Sequence, residues 1–578
     1  MPYVITQSCC KDASCTAVCP VNCIHPRLDD ATFTTAESLY IDPDACIECG
    51  ACVEECPVDA IVADDELTDS QLRYLDISSA YFQSRTHSAD DLRMTVLRPG
   101  ADLSGIRIAV VGSGPAGMYA VWELLEHKGI AVDVYDRSWA PFGLIRTGVA
   151  PDHPETKSIT DLFERAARKP NVTMHLGVEV GTHVSHEELS GAYSAVIYAT
   201  GASANRTTGL PGAHLNGVHS ATGFAGWYNG DPDQADLVFN LSGERAVIIG
   251  NGNVALDIAR VLLTDPAELI NTDIAEHALK ALSKSNIREV VIVGRRGPAQ
   301  AAYTNPELIA LLDLPGVDVI IDPGDAVIDP VTAQQLAQPE VEPAALLKAE
   351  LVQEISRRPT TGATRRIVLK YRRSPTRFCG AKQLSSVRLA RNTLVSNDDG
   401  RIRVQTGPES DELSTGLVFE SVGHHGVPVK GVPFDLARGV IPNHRGGVLA
   451  SPGGESLPGV YVTGWIKRGP SGVIGSNKRC ARETVAHLVA DVAAGAVVPA
   501  PDQSSFRELL RQRQPNAIGF DGWRRIDAAE RRTGQRTGRP RIKLTEPAAM
   551  LRVATQEEQY PPDRPGLNES TRGSYTHQ

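Results

Sequence analysis

Nine of the eleven cysteines of this 578-residue chain fall within its first 56 residues. They run Cys9, Cys10, Cys15, Cys19-Pro20, Cys23 and then Cys46, Cys49, Cys52, Cys56-Pro57. The second group reads C-x2-C-x2-C-x3-C-P, a spacing whose first three thiolates hold one iron–sulfur cluster while the fourth serves its neighbour. On the same template the first group needs ligands at positions 9, 12, 15 and 19, and position 12 is Asp12. Thiolate is the soft donor that iron–sulfur cores favour; a carboxylate holds the corner iron weakly. The spacing therefore predicts a [4Fe–4S] cluster on Cys19, Cys46, Cys49 and Cys52, and a [3Fe–4S] cluster on Cys9, Cys15 and Cys56. Cys10 has no place in the pattern: it either substitutes for Cys9 or closes a four-thiolate site. Paired C-x2-C motifs also bind zinc, but two C-P dipeptides argue for iron and sulfide. A disulfide framework needs an oxidising compartment.

Two further motifs carry nucleotide chemistry. Residues 106–111 (IRIAVV) form an apolar run followed by Gly112-Ser113-Gly114-Pro115-Ala116-Gly117 and a helical pattern. Strand, G-x-G-x-x-G and helix together bring a tight turn and free helix amides to a pyrophosphate. A second strand ends at Asp136, an acid suited to ribose hydroxyls. The second copy runs through residues 246–249 to Gly250-Asn251-Gly252-Asn253-Val254-Ala255. Its partner strand ends at Gly294-Arg295-Arg296, where two arginines suit a 2′-phosphate by charge and fork geometry. These features point to FAD at the first turn and NADP(H) at the second. Only a flavin accepts a hydride and releases single electrons, so the predicted order is NADPH, FAD, cluster.

The N-terminal module resembles the seven-iron bacterial ferredoxins, whose extra cysteine after C-P-V-x matches Cys23. The remainder resembles the adrenodoxin-reductase type of ferredoxin–NADP+ reductase in GSGPAG at 112–117, GLIRTGVAPDHP at 143–154, IGNGNVALD at 249–257, VGRRGP at 293–298 and GWIKRGPSGVIGSNK at 464–478. The resemblance implies an α/β fold: two Rossmann-like dinucleotide-binding domains, FAD and NADP, glutathione-reductase-like, behind a small α+β ferredoxin domain. The expected order is ferredoxin 1–66, linker 67–104, FAD domain 105–204, NADP domain 205–421, FAD domain resumed 422–554 and a disordered tail 555–578. It implies that Gly112, Gly114, Pro115, Ala116 and Gly117 hold the FAD pyrophosphate and Asp136 the ribose. Leu144 and Arg146 would lie along FAD, with Trp465, Gly472, Val473, Ile474 and Gly475 beside the isoalloxazine. Asn251, Gly252, Asn253 and Val254 would hold the NADP pyrophosphate, with Arg295, Arg296 and Glu307 further along. His153 and Glu307 are the implied polar residues at the flavin–nicotinamide contact. Taken alone, His153 reads as a turn histidine with an orienting role.

These elements must be positioned by a chain too long for a single core, which stops growing near ~250–300 residues. The whole net charge of -11 resides in residues 1–66, where thirteen acidic residues face only Lys11 and Arg27. An acidic carrier suggests docking on a basic patch. The candidate is Arg357, Arg358, Arg365, Arg366, Lys370, Arg372, Arg373 and Arg377, unless it is an ordinary amphipathic strand. Residues 67–82 have apolar spacing for a short docking helix. Overall acidity disfavours nucleic acid, no apolar run approaches a membrane span, and the free cysteines fit a cytoplasmic location. Cys379 and Cys480 are isolated and read as structural. The expected acceptor is an external electron-transfer protein, a cytochrome P450 or another ferredoxin, and a monomer satisfies every site. Two rival readings are an NADPH-entry subunit of a larger complex, as in glutamate synthase, and an iron–sulfur sensor regulating a flavoenzyme.

Overall fold

The computed structural model describes residues 2–83, 100–338, 341–397 and 401–556. Two parallel sheets carry the body. The first has the order Ser456–Val462, Ala195–Tyr198, Arg107–Val111, Ala131–Asp136, Val172–Leu176, with two short antiparallel pieces, Gly447–Leu449 and Asn443–His444, beyond Ser456–Val462. The second is parallel throughout: Val218–Ser220, Val418–Glu420, Arg245–Ile249, Glu289–Val293, Arg365–Lys370, Val317–Ile321. Strands covered by helices on both faces read as unbroken apolar runs, and Glu289–Val293 is buried at every residue. The way from the first sheet to the second and the way back run side by side, as the antiparallel pair Ala204–Asn205 and His424–His425.

The N-terminal module is two short antiparallel pairs, Tyr3–Ile5 with Ile61–Ala63 and Ile24–His25 with Tyr40–Ile41, plus the five-residue helices Ser14–Val18 and Ala51–Glu55. Its core includes Cys15, Cys23 and Cys52 beside Ile5, Ile24, Phe33 and Ile61. A core this small needs a staple, the part clusters play in small domains. The docking helix expected in 67–82 is Arg73–Gln83, which buries Tyr74, Ile77 and Tyr81 and stacks Tyr81 on Tyr40 at 4.4 Å. Residues 84–99 of the expected linker and the tail from 557 lie outside the described residues.

Five of the eight residues of the basic run are engaged within the body itself. Arg365–Lys370 is an interior strand of the second sheet. Arg358 pairs with Glu354, Arg366 with Glu289, and Arg373 with Asp325 and Asp411. Arg365 and Arg372 donate to the carbonyls of Leu263, Val327 and Gly324. These cations neutralise local carboxylates and cap loop carbonyls. The antiparallel sheet that follows, Arg373–Gly380, Leu384–Ser396 and Ile402–Ser414, had no counterpart in the sequence reading.

One buried ion cluster ties three distant segments together. Asp273 accepts from Lys157 at 2.6 Å and from Lys543 at 2.9 Å, and both ammoniums also reach Asn229. Burial opposes charge on Asp273, but the two ammoniums outweigh it and hold the carboxyl below its usual range. Asp273→Ala strands two buried cations and is expected to cost about 3–5 kcal/mol, read as a lowered urea midpoint. Because the native pKa is depressed, this contribution is complete above pH ~4 and is lost as pH falls through the native value.

Candidate active site and cluster sites

Both glycine-rich turns have the same backbone. Gly112 has φ +107°, and a β-carbon there would meet the Ala199 carbonyl oxygen at 2.4 Å. Gly250 has φ +113°, and its β-carbon would meet that of Ser421 at 2.1 Å. Each turn enters a helix with no side-chain cap, Pro115–Leu125 after Gly114 and Asn253–Leu263 after Gly252, leaving first-turn amides for a phosphate. At the first turn Asp136 accepts from the backbone and hydroxyl of Ser113 at 2.8 and 2.6 Å. Thr200, Thr463 and Ser476 keep buried hydroxyl oxygens without a partner among the described residues. Orphaned hydroxyls around a glycine-rich cradle fit a polar cofactor.

Arg146 is forked onto Glu530 and lies over Trp523, whereas Leu144 is exposed. Trp465 starts the short helix Trp465–Arg468 and donates to the Ser471 carbonyl at 3.0 Å. Gly472, Val473, Ile474 and Gly475 lead into the helix Ser476–Ala493. At the second turn, Asn251 and Asn253 accept from the backbone of Tyr303 and Thr304, each at 2.9 Å. Val254 follows in the helix's first turn. Arg295 and Arg296 end the neighbouring strand with exposed side chains. Neither is engaged by a carboxylate among the described residues.

His153 and Glu307 do meet, His153 Nε2 lying 4.0 Å from Glu307 Oε2, but they are joined by residues the sequence reading left without a role. Asp257 lies 3.4 Å from His153, and Arg260 pairs with Asp152, Asp257 and, at 3.6 Å, Glu307. Arg260 is 6 % exposed. Burial works against charge on His153, but the Asp257 hydrogen bond outweighs it and raises the imidazole pKa. Burial, then Asp257, hold the Glu307 carboxyl above its usual range. A charged pair three residues apart inside the apolar helix Asn253–Leu263 was the available signal for Asp257 and Arg260.

The two cysteine loops repeat each other. Ser14–Val18 and Ala51–Glu55 both start after a left-handed residue, Ala13 or Gly50, and both end on an extended cysteine, Cys19 or Cys56. Lys11 and Glu48 are likewise left-handed at matching positions. Asp12 thus occupies the place that Cys49 holds in the other loop. Cys19, Cys46, Cys49 and Cys52 line one cavity with Cys23 and Tyr3, a donor set that fits a cubane. Cys9, Cys15 and Cys56 form the other group, and burial with these neighbours and Asp12 pushes the Cys15 thiol well up.

The loops differ in what they face. Cys49 is exposed. Asp12 is buried, takes the Ser14 amide at 3.2 Å and pairs with Lys478 Nζ at 3.2 Å. The Gly475 amide donates to the Cys10 carbonyl at 2.7 Å. Cys10 itself is buried in the core that contains Tyr119 and Ala481. Arg479 donates to the Asp30 carbonyl at 2.7 Å, Arg482 lies 3.8 Å from Asp29, and Lys348 pairs with Glu37 at 2.7 Å. Among the described residues, Lys478, Arg479 and Arg482 from the start of one helix and the distant Lys348 meet the acidic module. Cys480 is buried and accepts the Gly464 amide, a structural role.

Comparison with known proteins agrees with this arrangement. The pyridine nucleotide-disulphide oxidoreductase family matches residues 106–301, and the 4Fe-4S binding domain matches residues 39–62. A probable ferredoxin/ferredoxin–NADP reductase of Mycobacterium bovis is 45% identical over 574 residues, 97% of this chain and 96% of that one. The mitochondrial NADPH:adrenodoxin oxidoreductase of Bos taurus is 40% identical over 459 residues, 77% of this chain and 92% of that one. The solved structure of Mycobacterium tuberculosis FprA in complex with NADPH superposes with a TM-score of 0.73 at 42% identity, covering 78% of this chain and 100% of that chain. No helix among the described residues is long and apolar enough to cross a membrane. With a glycine-rich turn on each parallel sheet and an iron–sulfur module seated against Gly475, the chain belongs to the family of ferredoxin/ferredoxin–NADP reductases.

Proposed function

We propose that this ferredoxin–NADP reductase draws electrons from NADPH and delivers them singly, through its own N-terminal module, to an external acceptor of the ferredoxin or cytochrome P450 class. When bound, FAD supplies the exchange between hydride and single electrons, and the clusters carry single electrons. Gly112, Gly114, Pro115, Ala116 and Gly117 hold the FAD pyrophosphate at a helix start, and Asp136 holds the ribose. Leu144, Arg146, Trp465 and the turn from Gly472 through Val473 and Ile474 to Gly475 border the flavin. Asn251, Gly252, Asn253 and Val254 hold the NADP(H) pyrophosphate, and Arg295 and Arg296 bind its 2′-phosphate. His153 and Glu307 orient the nicotinamide, braced by Asp257 and Arg260. The domain division that goes with this reading has the NADP domain, 205–421, inserted into the FAD domain. One chain contains every site, so a monomer suffices, and its free thiols suit the cytoplasm.

The observation that carries this reading is the opposed facing of the two loops. The Asp12 loop lies on Gly475 and Lys478, beside the flavin-bordering turn, while the matching Cys49 faces solvent. Lys478 and Ser14 give the Asp12 carboxylate protein partners, which supports a [3Fe–4S] cluster that Cys9, Cys15 and Cys56 would hold. The [4Fe–4S] ligands Cys19, Cys46, Cys49 and Cys52 then form the outlet.

Anaerobically purified protein is expected to show an oxidised three-iron EPR signal that NADPH abolishes. A silent oxidised protein with about eight irons per chain would overturn the three-iron assignment. A β-carbon at Gly475 would fall 2.0 Å from the Lys11 carbonyl oxygen. Gly475→Ala is therefore expected to keep flavin reduction by NADPH but slow its reoxidation by the clusters about tenfold or more in stopped flow. Arg295→Ala with Arg296→Ala is expected to lower the NADPH over NADH preference in kcat/KM by about 100-fold, two lost charge-assisted contacts.

A further inference from the structure

The N-terminal module also reaches the nicotinamide side of the enzyme. Gln7 Nε2 donates to Glu307 Oε2 at 2.8 Å, the same oxygen that faces His153 and Arg260. Glu307 lies in the first turn of the helix Asn305–Leu311, whose N-cap, Thr304, makes no side-chain cap. Glu37 of the same module fills that role: its Oε2 accepts from the Asn305 amide at 2.7 Å, and Lys348 holds its other oxygen at 2.7 Å. Two acceptor–donor contacts from residues 7 and 37 therefore fix one carboxylate, one at its side chain and one at its helix start. Gln7 leads directly into the first cysteine loop. Ser8 accepts from Thr156 at 3.3 Å, Cys9 is a cluster ligand by its spacing, and Cys10 accepts from Gly475.

We propose that Gln7 is a positioning residue for Glu307, so that the fused ferredoxin module completes the nicotinamide-binding side of the reductase as well as draining its flavin. The inference rests on the reading of Glu307 as a nicotinamide-orienting residue. A carboxylate beside Asp257 in a buried setting takes its orientation from whichever donors reach it. Arg260 is shared with two other acids, which leaves the Gln7 amide as a donor directed to Glu307. The module thereby contributes one directed donor to the hydride site.

The test uses full-length holoenzyme and reads flavin reduction by saturating NADPH in stopped flow, beside NADPH KM, iron content and thermal midpoint. Gln7→Ala and Gln7→Glu are expected to slow flavin reduction about threefold to tenfold, the net worth of one ordinary hydrogen bond, with Gln7→Glu the slower. Iron content, thermal midpoint and flavin-to-cluster transfer should stay at wild-type values. Arg482→Ala, which loosens the same interface far from Glu307, should leave flavin reduction unchanged. Wild-type rate and KM in Gln7→Ala, alongside a slow Glu307→Gln, would overturn the role of Gln7 alone. An equal loss in Arg482→Ala would also overturn it, by making the effect one of general loosening. A Glu307→Gln enzyme as fast as wild type overturns the reading of Glu307, and the proposal with it.

Discussion

At Gly475 the reductase backbone lies against the backbone of the N-terminal module so closely that a β-carbon would overlap the Lys11 carbonyl and the Asp12 amide. The contact is made by groups that cannot rotate away: the Gly475 amide and the Cys10 carbonyl. Around it, Arg479 and Ser158 donate to the carbonyls of Asp30 and Pro57. Each such hydrogen bond is worth only about 1 kcal/mol. Their value is geometric, because backbone acceptors fix register where flexible side-chain pairs would not. The distance between the turn at 472–475 and the first cysteine loop is thus set by main-chain packing.

This explains how an acidic module is held without a large basic face. Covalent fusion supplies a high effective concentration, so long-range steering is dispensable and a few placed cations suffice. Lys478 meets Asp12, Lys348 meets Glu37, and Arg482 approaches Asp29. Lys478 does more than hold the modules together. By engaging Asp12 it ties the interface to the one residue that stands where the other loop has Cys49. The remaining acidity, including Asp44, Glu48, Glu54 and Glu55 near Cys49, stays exposed, where it suits an acceptor with a basic face.

The ion cluster at Arg260 follows a different rule. Asp152, Asp257 and Glu307 share the buried Arg260 and His153, and a buried charge cluster tolerates few arrangements because every unpaired member is costly. His153 lies at the entrance to the short helix Pro154–Lys157, whose Lys157 is in turn anchored by Asp273. Orientation in this region is therefore inherited from ion pairs that reach across three segments of the chain.

Much of the chemistry was legible in the residues themselves. Cysteine spacing reports cluster ligands because iron–sulfur geometry demands a fixed local loop, and the glycines at 112 and 250 report tight turns because left-handed backbone excludes a side chain at little distance in sequence. Arg295 and Arg296 fall just beyond the strand Glu289–Val293, beside the second glycine-rich turn, where the motif had put them. What depends on local backbone geometry is written locally. The seating of the modules was not: Lys348, Lys478 and Arg479 are unremarkable lysines and arginines until the fold brings them to Glu37, Asp12 and Asp30, while in the conspicuous basic run Arg358, Arg366 and Arg373 pair with carboxylates of their own domain. Gln7 beside Glu307, 300 residues apart, and the ion cluster at Arg260 likewise exist only in the tertiary structure. A charge carries no address in sequence, and its partner is chosen by which surfaces packing brings together.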